Sequence, residues 1–310
     1  MNAAAKVSPR SCPVCKGRQY GVERARDRAR ASLCGCAKQC VHCGGSGYVV
    51  ASREEAFSQK VGPRTYEALS PCMCRLLARR IDAFNAAGIP GVLAHAEFEN
   101  FTPIDQALHQ ARESALHFAE GYDRKAPKNG FVIGGSVGTG KTHLLVATLK
   151  QLILERGVVA RYTEISLLYA TIRNGFREGK SGGEIIGPLS DVEVLAIDEL
   201  GRGRGSQFEL DTLDELIARR YNAGRTTLFA TNYGLDPERP AAAKGYRSSE
   251  DAKSAGKDSD LLRDRVGERI YSRLCEMCEF ITLPAETPDH RRMRQETREK
   301  IVTRPSTRRG

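Results

Sequence analysis

The chain contains no tryptophan, an absence that by itself excludes nothing; two other absences say more. No apolar run approaches the roughly 20 residues a membrane-crossing helix needs, so no membrane partner is expected. The opening "MNAAAKVSPRSCPVC" carries no apolar stretch of the kind found in secretory leaders, and a cytoplasmic location is expected. Acidic residues are in the minority. Against 38 Asp and Glu stand 48 Lys and Arg, a formal net charge of +10. That balance favours an anionic partner; nucleic acid and a membrane surface both carry such charge, and nucleic acid is the one expected. At 310 residues the sequence is long enough for two domains, with ordinary hydrophobic content for a core.

Cysteine is abundant, with ten in all. In a reducing compartment that count argues for metal ligation over disulfides. Eight of the ten fall into a repeat. "CPVCKGRQYGV" from Cys12 and "CVHCGGSGYVV" from Cys40 share C-x-x-C-x-G-x-x-Y-x-V, matching Gly17 with Gly45, Tyr20 with Tyr48 and Val22 with Val50. A C-x-C follows each: Cys34 and Cys36 after the first, Cys72 and Cys74 after the second. Structural zinc takes four thiolates in a tetrahedron, commonly from two short-spaced pairs. The glycine after each C-x-x-C permits the tight turn that aims two sulfurs at one point. Two Zn²⁺ sites are therefore expected, with Cys12, Cys15, Cys34 and Cys36 on one ion and Cys40, Cys43, Cys72 and Cys74 on the other. The alternatives are interleaved pairing, in which Cys12 and Cys15 share an ion with Cys40 and Cys43, and buried free thiols. His42 breaks the repeat and reads as a solvent-facing spacer. Cys275 and Cys278, in "RLCEMCEF", lack glycines and partners and read as core thiols.

Beyond Cys74 comes a helix in "RLLARRIDAFNAAGIPG", then a second in "DQALHQARESALHFAEGY". From "GFVIGG" onward, buried strands alternate with helices: "KTHLLVATLKQLILER", "GVVARYTE", "SLLYATIRNGF", "VEVLAID", "ELDTLDELIARRYNAG" and "TTLFATNY". This pattern denotes an α/β domain with a parallel sheet. "DPERPAAAKGYRSSEDAKSAGKDSD" is polar and mixed in charge, and reads as a disordered insertion. One more helix, "DLLRDRVGERIYSRL", and a strand, "FITLP", close the domain before a basic tail. The expected division is a zinc-binding module over 1–75, a linker helix over 76–94, an ATPase domain over 95–292 with the insertion at 236–260, and a tail over 293–310.

"GSVGTGKT" fits G-x-x-x-x-G-K-T, between a strand and a helix as the mechanism requires. The loop of Gly135, Ser136, Val137, Gly138, Thr139, Gly140, Lys141 and Thr142, with His143 next in the chain, is expected to bind ATP. Its backbone N–H groups and the helix N-terminus face the phosphates. Lys141 reaches the β- and γ-phosphates, and the Thr142 hydroxyl is placed for Mg²⁺. "VEVLAIDEL" ends a buried strand in Asp198 and Glu199; Asp198 suits the Mg²⁺ site and Glu199 the polarisation of an attacking water. "FATNY" places Asn232 at the same sheet edge, where it can hydrogen-bond the water or the γ-phosphate. ATP hydrolysis is the reaction these parts perform. In "LLRDRVGERIYSRL", read as one helix, Arg265, Arg269 and Arg273 form a column at four-residue spacing. Stacked like charges oppose a helix, so one of them is expected to reach a neighbouring subunit's γ-phosphate, which implies self-association. After Arg291 the helical lid that would follow such a core is expected to be missing or rudimentary.

These residues resemble the AAA+ helicase loaders of the DnaC and DnaI type and the related transposition ATPase IstB. The likeness runs through "AEFENFTP", "GTGKTHLL", "VLAIDELG", "LIARRYNAGRTTLFATNYG", "GERIYSRLCEM" and "PDHRR", nearly all of residues 95 to 292. It implies an AAA+ P-loop fold with a reduced lid, Arg269 or Arg273 as the trans-acting finger, Arg291 as a second sensor, and Arg173 and Arg177 facing single-stranded DNA. The cysteine module resembles the zinc-binding front end of the DnaI-like branch, which implies a DnaB-like replicative helicase as partner. The doubled cysteine unit and the long 236–260 insertion depart from that pattern. Three functions follow: an ATP-dependent helicase loader, an IstB-like regulator of a transposase on DNA, and a zinc adaptor tethered to DNA by its nucleotide domain.

Overall fold

The computed structural model describes residues 12–37, 40–55, 64–126, 129–235 and 261–284, with 286, 287 and 289. Two compact units emerge, one from the chain up to His95 with Ile153–Val158, the other from Ala96–Leu152 and from Val159 onward. The insertion at 236–260, Arg291 and the basic tail lie outside the described residues.

The first unit holds two antiparallel hairpins. β1 (Tyr20–Ala25) pairs with β2 (Arg28–Leu33), and β3 (Tyr48–Glu55) pairs with β4 (Arg64–Pro71). Each hairpin starts from a C-x-x-C turn and returns to its C-x-C, so the cysteines hold both ends. α1 (Met73–Ala86) begins inside the second C-x-C and buries Ile81 and Phe84.

The second unit is a parallel sheet of β5 (Gly130–Gly134), β6 (Ala160–Glu164), β7 (Val194–Asp198), β8 (Thr226–Thr231) and β9 (Cys278–Thr282) in the order β6-β7-β8-β5-β9. Its pairings are all parallel. Every residue of β5, β7 and β8 is buried, which explains their unbroken apolar runs in place of alternation. The helices are α2 (Gln106–Glu120), α3 (Lys141–Leu154), α4 (Ile165–Arg177), α5 (Gly182–Asp191), α6 (Gln207–Asn222), α7 (Leu262–Val266) and α8 (Glu268–Met277). Strand order reverses around β5, whose neighbours are β8 and β9. A crevice at the carboxyl edge of such a sheet is the usual ligand position, and the loop after β5 opens there. Among the described residues no helix follows β9.

Three findings differ from the sequence expectations. The helix expected across "DLLRDRVGERIYSRL" is two helices, because Gly267 sits at φ 85°, ψ 155°. That region is essentially restricted to glycine and cannot continue a helix. Arg265 therefore leaves the column: it donates to the carbonyls of Gly201 (3.1 Å) and Gly203 (2.8 Å) and stacks over Tyr233. Cys275 is exposed, unlike buried Cys278, since it follows inward-facing Leu274 by one helical step. α5 has no counterpart among the helices expected above; a capping box between Ser181 and Glu184 starts it despite its glycines and Pro188.

Arg220 on α6 is completely buried. It donates to the carbonyls of Leu189 (2.7 Å), Ser190 (3.2 Å), Val192 (2.9 Å) and Thr226 (2.5 Å) and to Thr227 Oγ1 (2.8 Å). One side chain thus satisfies the main chain ahead of β7 and at the start of β8, the strands that carry the candidate catalytic residues. Burial draws its pKa down to about 9.

Candidate functional site

The eight cysteines gather sequentially, Cys12, Cys15, Cys34 and Cys36 in one cluster and Cys40, Cys43, Cys72 and Cys74 in the other. Within each cluster all four sulfurs lie within 4.8 Å of one another. Sulfur contacts are 3.8 Å for Cys12–Cys34, 3.5 Å for Cys15–Cys36, 3.6 Å for Cys40–Cys72 and 3.5 Å for Cys43–Cys74. A tetrahedral ion with bonds near 2.3 Å requires sulfur separations of about 3.8 Å, whereas a disulfide requires about 2 Å. The donor sets fit zinc.

The two sites match hydrogen bond for hydrogen bond. Gln19 N donates to Cys15 Sγ and Gly47 N to Cys43 Sγ, both at 3.3 Å. Cys34 N donates to Gln19 O and Cys72 N to Gly47 O, both at 2.9 Å. Main-chain hydrogen bonding, chiefly at Cys15, holds the Cys12 thiol down at about 7, and at Gly47 it holds Cys43 down at about 6. Burial and neighbouring thiols push Cys36 up and take Cys74 up to about 12. Each cluster thus combines a thiol readied for ionisation with one whose ionisation is opposed, a conflict that a bound cation removes. His42 is exposed and stands outside both clusters.

In the second unit, the loop Gly135–Gly140 joins β5 to α3. Lys141 is buried, and its Nζ donates to Ser136 O at 2.6 Å. Thr139 is also buried and donates to the same carbonyl at 2.9 Å. Gly140, at φ 94°, faces Phe101 so closely that a Cβ would lie 2.6 Å from the ring. Val137 is exposed at the loop tip. His143 Nε2 lies 2.8 Å from the Glu97 carbonyl, and its ring packs on Phe101.

Asp198, at the end of β7, is buried; Tyr162 donates to its Oδ2 at 2.9 Å and Glu199 N to its Oδ1 at 2.9 Å. Burial raises its pKa, while hydrogen bonds from Thr142 and Tyr162 oppose the rise. Thr142 and Asp198, from two elements, therefore meet. Glu199 adopts φ 56°, unusual for a residue with a side chain, and its carboxylate pairs with Arg202. Such strain concentrates at functional positions. Thr231 Oγ1 donates to Leu200 O at 2.7 Å, tying the end of β8 to this turn, and Asn232 follows, exposed.

Sequence reading missed Tyr162, Glu164 and Arg202. Glu164 ends β6 opposite Asp198 in register, and its pKa is raised by burial and then by Glu199 and Asp198. The available signal was "ARYTE", a strand ending in a carboxylate at the same edge. Glu164 thus brings a further carboxylate to the sheet edge that carries Asp198 and Glu199. Arg269 and Arg273 do not join this group. Arg273 pairs with Asp214 of α6, and Arg269 Nε lies 3.5 Å from the same carboxylate with its side chain 75% exposed. Arg173 and Arg177 are exposed on α4; Arg173 stacks over Phe208 and lies 3.9 Å from Glu209.

DnaC, the replicative helicase loader of Escherichia coli K12, is 29% identical over 154 residues, 49% of this chain and 62% of that protein. The DnaC loader of Buchnera aphidicola subsp. Baizongia pistaciae is 27% identical over 181 residues, 57% of this chain and 71% of that one. The chain thus spans less than two thirds of the length of the E. coli relative. A crystal structure of the DnaC helicase loader superposes with a TM-score of 0.51 at 26% identity, covering 62% of this chain and 99% of that chain. The fold is that of an AAA+ P-loop ATPase. A family model described as IstB-like ATP binding protein matches residues 81–237, just over half of the sequence, and the chain belongs to that family.

Proposed function

We propose that this protein is an ATP-switched loader of a replicative ring helicase onto single-stranded DNA. The observation that carries the reading is the meeting of Lys141, Thr142, Asp198 and Glu199 at one sheet edge, on a chain similar to DnaC loaders across that region. In this reading the loop N–H groups and Lys141 bind the ATP phosphates. Thr142 and Asp198 hold Mg²⁺, which neutralises phosphate charge when bound. Glu199 accepts the proton of the attacking water, and Asn232 hydrogen-bonds that water or the γ-phosphate. Arg269 or Arg273 completes a neighbour's site; the exposure of Arg269 supports its availability. Arg291 serves as the second sensor. The eight cysteines hold two Zn²⁺, with no open coordination position and hence a structural role. Residues 1–75 form the zinc module that grips the helicase, 76–94 the link, and 95–292 the ATPase.

A second reading, regulation of a transposase, is favoured by the family match itself. DNA preference separates the two. Fluorescence anisotropy with labelled single strands should show binding that requires ATP and resists duplex competitor. Affinity should fall linearly with log salt, with the slope reduced by about one for each of Arg173→Ala and Arg177→Ala. Preference for duplex DNA would overturn the loader reading in favour of the transposase regulator.

A further inference from the structure

The duplicated zinc module offers an internal comparison. Its hairpins are equivalent position by position: Tyr20 corresponds to Tyr48 and Val22 to Val50, while Ala31 and Leu69 lie three residues ahead of Cys34 and Cys72. Register agrees, since Val22 pairs with Ala31 and Val50 pairs with Leu69. Cross-strand partners and residues two apart share a face, so each hairpin presents one equivalent apolar face.

The two faces have opposite fates. In the first hairpin Tyr20 and Ala31 are 6% and 4% exposed. α1 packs on β2, and Gly91–Leu93 packs on both strands. Asn85 of α1 closes the open edge, accepting from Ala31 N at 2.8 Å and donating to Ala31 O at 3.1 Å. In the second hairpin Tyr48, Val50 and Leu69 are 39%, 63% and 71% exposed. Arg75 of α1 stacks over the Tyr48 ring, but among the described residues no element packs on β3 and β4 as α1 packs on β2, and Val50 and Leu69 remain open.

Among the described residues of this unit, one α-helix stands against two such faces. α1 leaves the second C-x-C and crosses to the first hairpin, whereas the first C-x-C continues only into the short turn Gly35–Ala37 before Cys40. A second copy has no free α1 to offer, because Ile81 and Phe84 are already buried at home. We infer that the Tyr48–Val50–Leu69 face of the second hairpin docks an apolar-striped α-helix of a protein partner, as the first hairpin docks α1. This inference rests on the loader reading and names the ring helicase as the source of that helix.

The test uses the full chain with purified ring helicase, comparing wild type with Val50→Ser/Leu69→Ser. Both side chains are exposed, so zinc content, melting and ATP binding should be unchanged, while helicase affinity falls at least about tenfold. Equal affinity for the variant would overturn the inference and leave the loader reading standing. Failure of the wild type to bind would overturn both. A photo-crosslinker at Val50 in the otherwise wild-type chain gives an answer independent of the double variant. Crosslinks to helicase residues spaced three and four apart on one helix are expected. Crosslinks to a second copy of this chain, to a non-helical segment, or to nothing would each overturn it.

Discussion

Replacing Tyr162 with Phe removes one oxygen from the nucleotide site and leaves the packing of a buried ring in place. In the structure that hydroxyl donates to Asp198 Oδ2 at 2.9 Å, beneath the surface of the sheet edge. Burial, then the charge of Asp198, raises the tyrosine pKa, so the phenol remains protonated and donating throughout the working range. A hydrogen bond to a charged, buried acceptor contributes about 1.5–3 kcal/mol, and the loss falls on the ionised form of Asp198. If that ionised form holds Mg²⁺, Mg²⁺-dependent ATP binding should weaken by between about tenfold and about 150-fold on the acid side of the Asp198 titration, where the carboxylate must first ionise, and by little well above it. The sign with pH follows. Asp198 already titrates above its ordinary value, and removing a bond that lowers it moves it further up. The carboxylate exists only above that point, so the acid limb of binding shifts to higher pH. A fluorescent ATP analogue titrated with and without Mg²⁺ across pH reports both quantities. Mg²⁺-dependent affinity within twofold of wild type, with an unmoved acid limb, would refute the role given to Tyr162 and Asp198.

Arg220→Met should destabilise the ATPase unit by about 2–3 kcal/mol in denaturant unfolding: five neutral acceptors lose their donor at about 1 kcal/mol each, partly offset by removing a buried cation. A loss under about 0.5 kcal/mol would contradict that account. Elemental analysis should find two Zn²⁺ per chain, and finding none would remove the metal reading. Acidification should release the zinc, since ligation requires thiolates and protons compete with the metal for the sulfurs. Lys141→Ala should abolish ATP binding, whereas Glu199→Gln should bind ATP without turnover. Mixing Lys141→Ala with Arg269→Ala/Arg273→Ala should restore part of the ATPase activity if the finger acts in trans; no rescue at any ratio would exclude that arrangement.

Much of the ATPase unit was legible because its strands are buried on both faces and read as apolar runs between helices. β5, β7 and β8 carry that signal, and Gly135–Thr142 and Asp198–Glu199 sit directly at their ends. The cysteine grouping was legible for a different reason: the repeat fixes equivalent positions before any coordinates are known. The hairpins between the cysteines left less trace, since β3 turns apolar Tyr48 and Val50 outward and so shows no contrast of apolar inside with polar outside. Helical spacing misled at Gly267, where one glycine in a region closed to other residues splits an otherwise continuous pattern and redirects Arg265. Tyr162 and Arg220 were hidden because their roles depend on partners far along the chain, Asp198 in one case and the carbonyls of residues 189–192 in the other.

Loading can be read out by assembling a ring helicase on a closed circle of single-stranded DNA carrying one annealed oligonucleotide. A ring cannot thread onto a circle unaided, so displacement of the oligonucleotide reports loading. Wild-type protein with ATP should accelerate displacement, Lys141→Ala should not, and Glu199→Gln should leave the helicase held in a stable complex with the loader on the DNA. Displacement at the same rate with and without the protein, or with Lys141→Ala in its place, would contradict an ATP-switched loader.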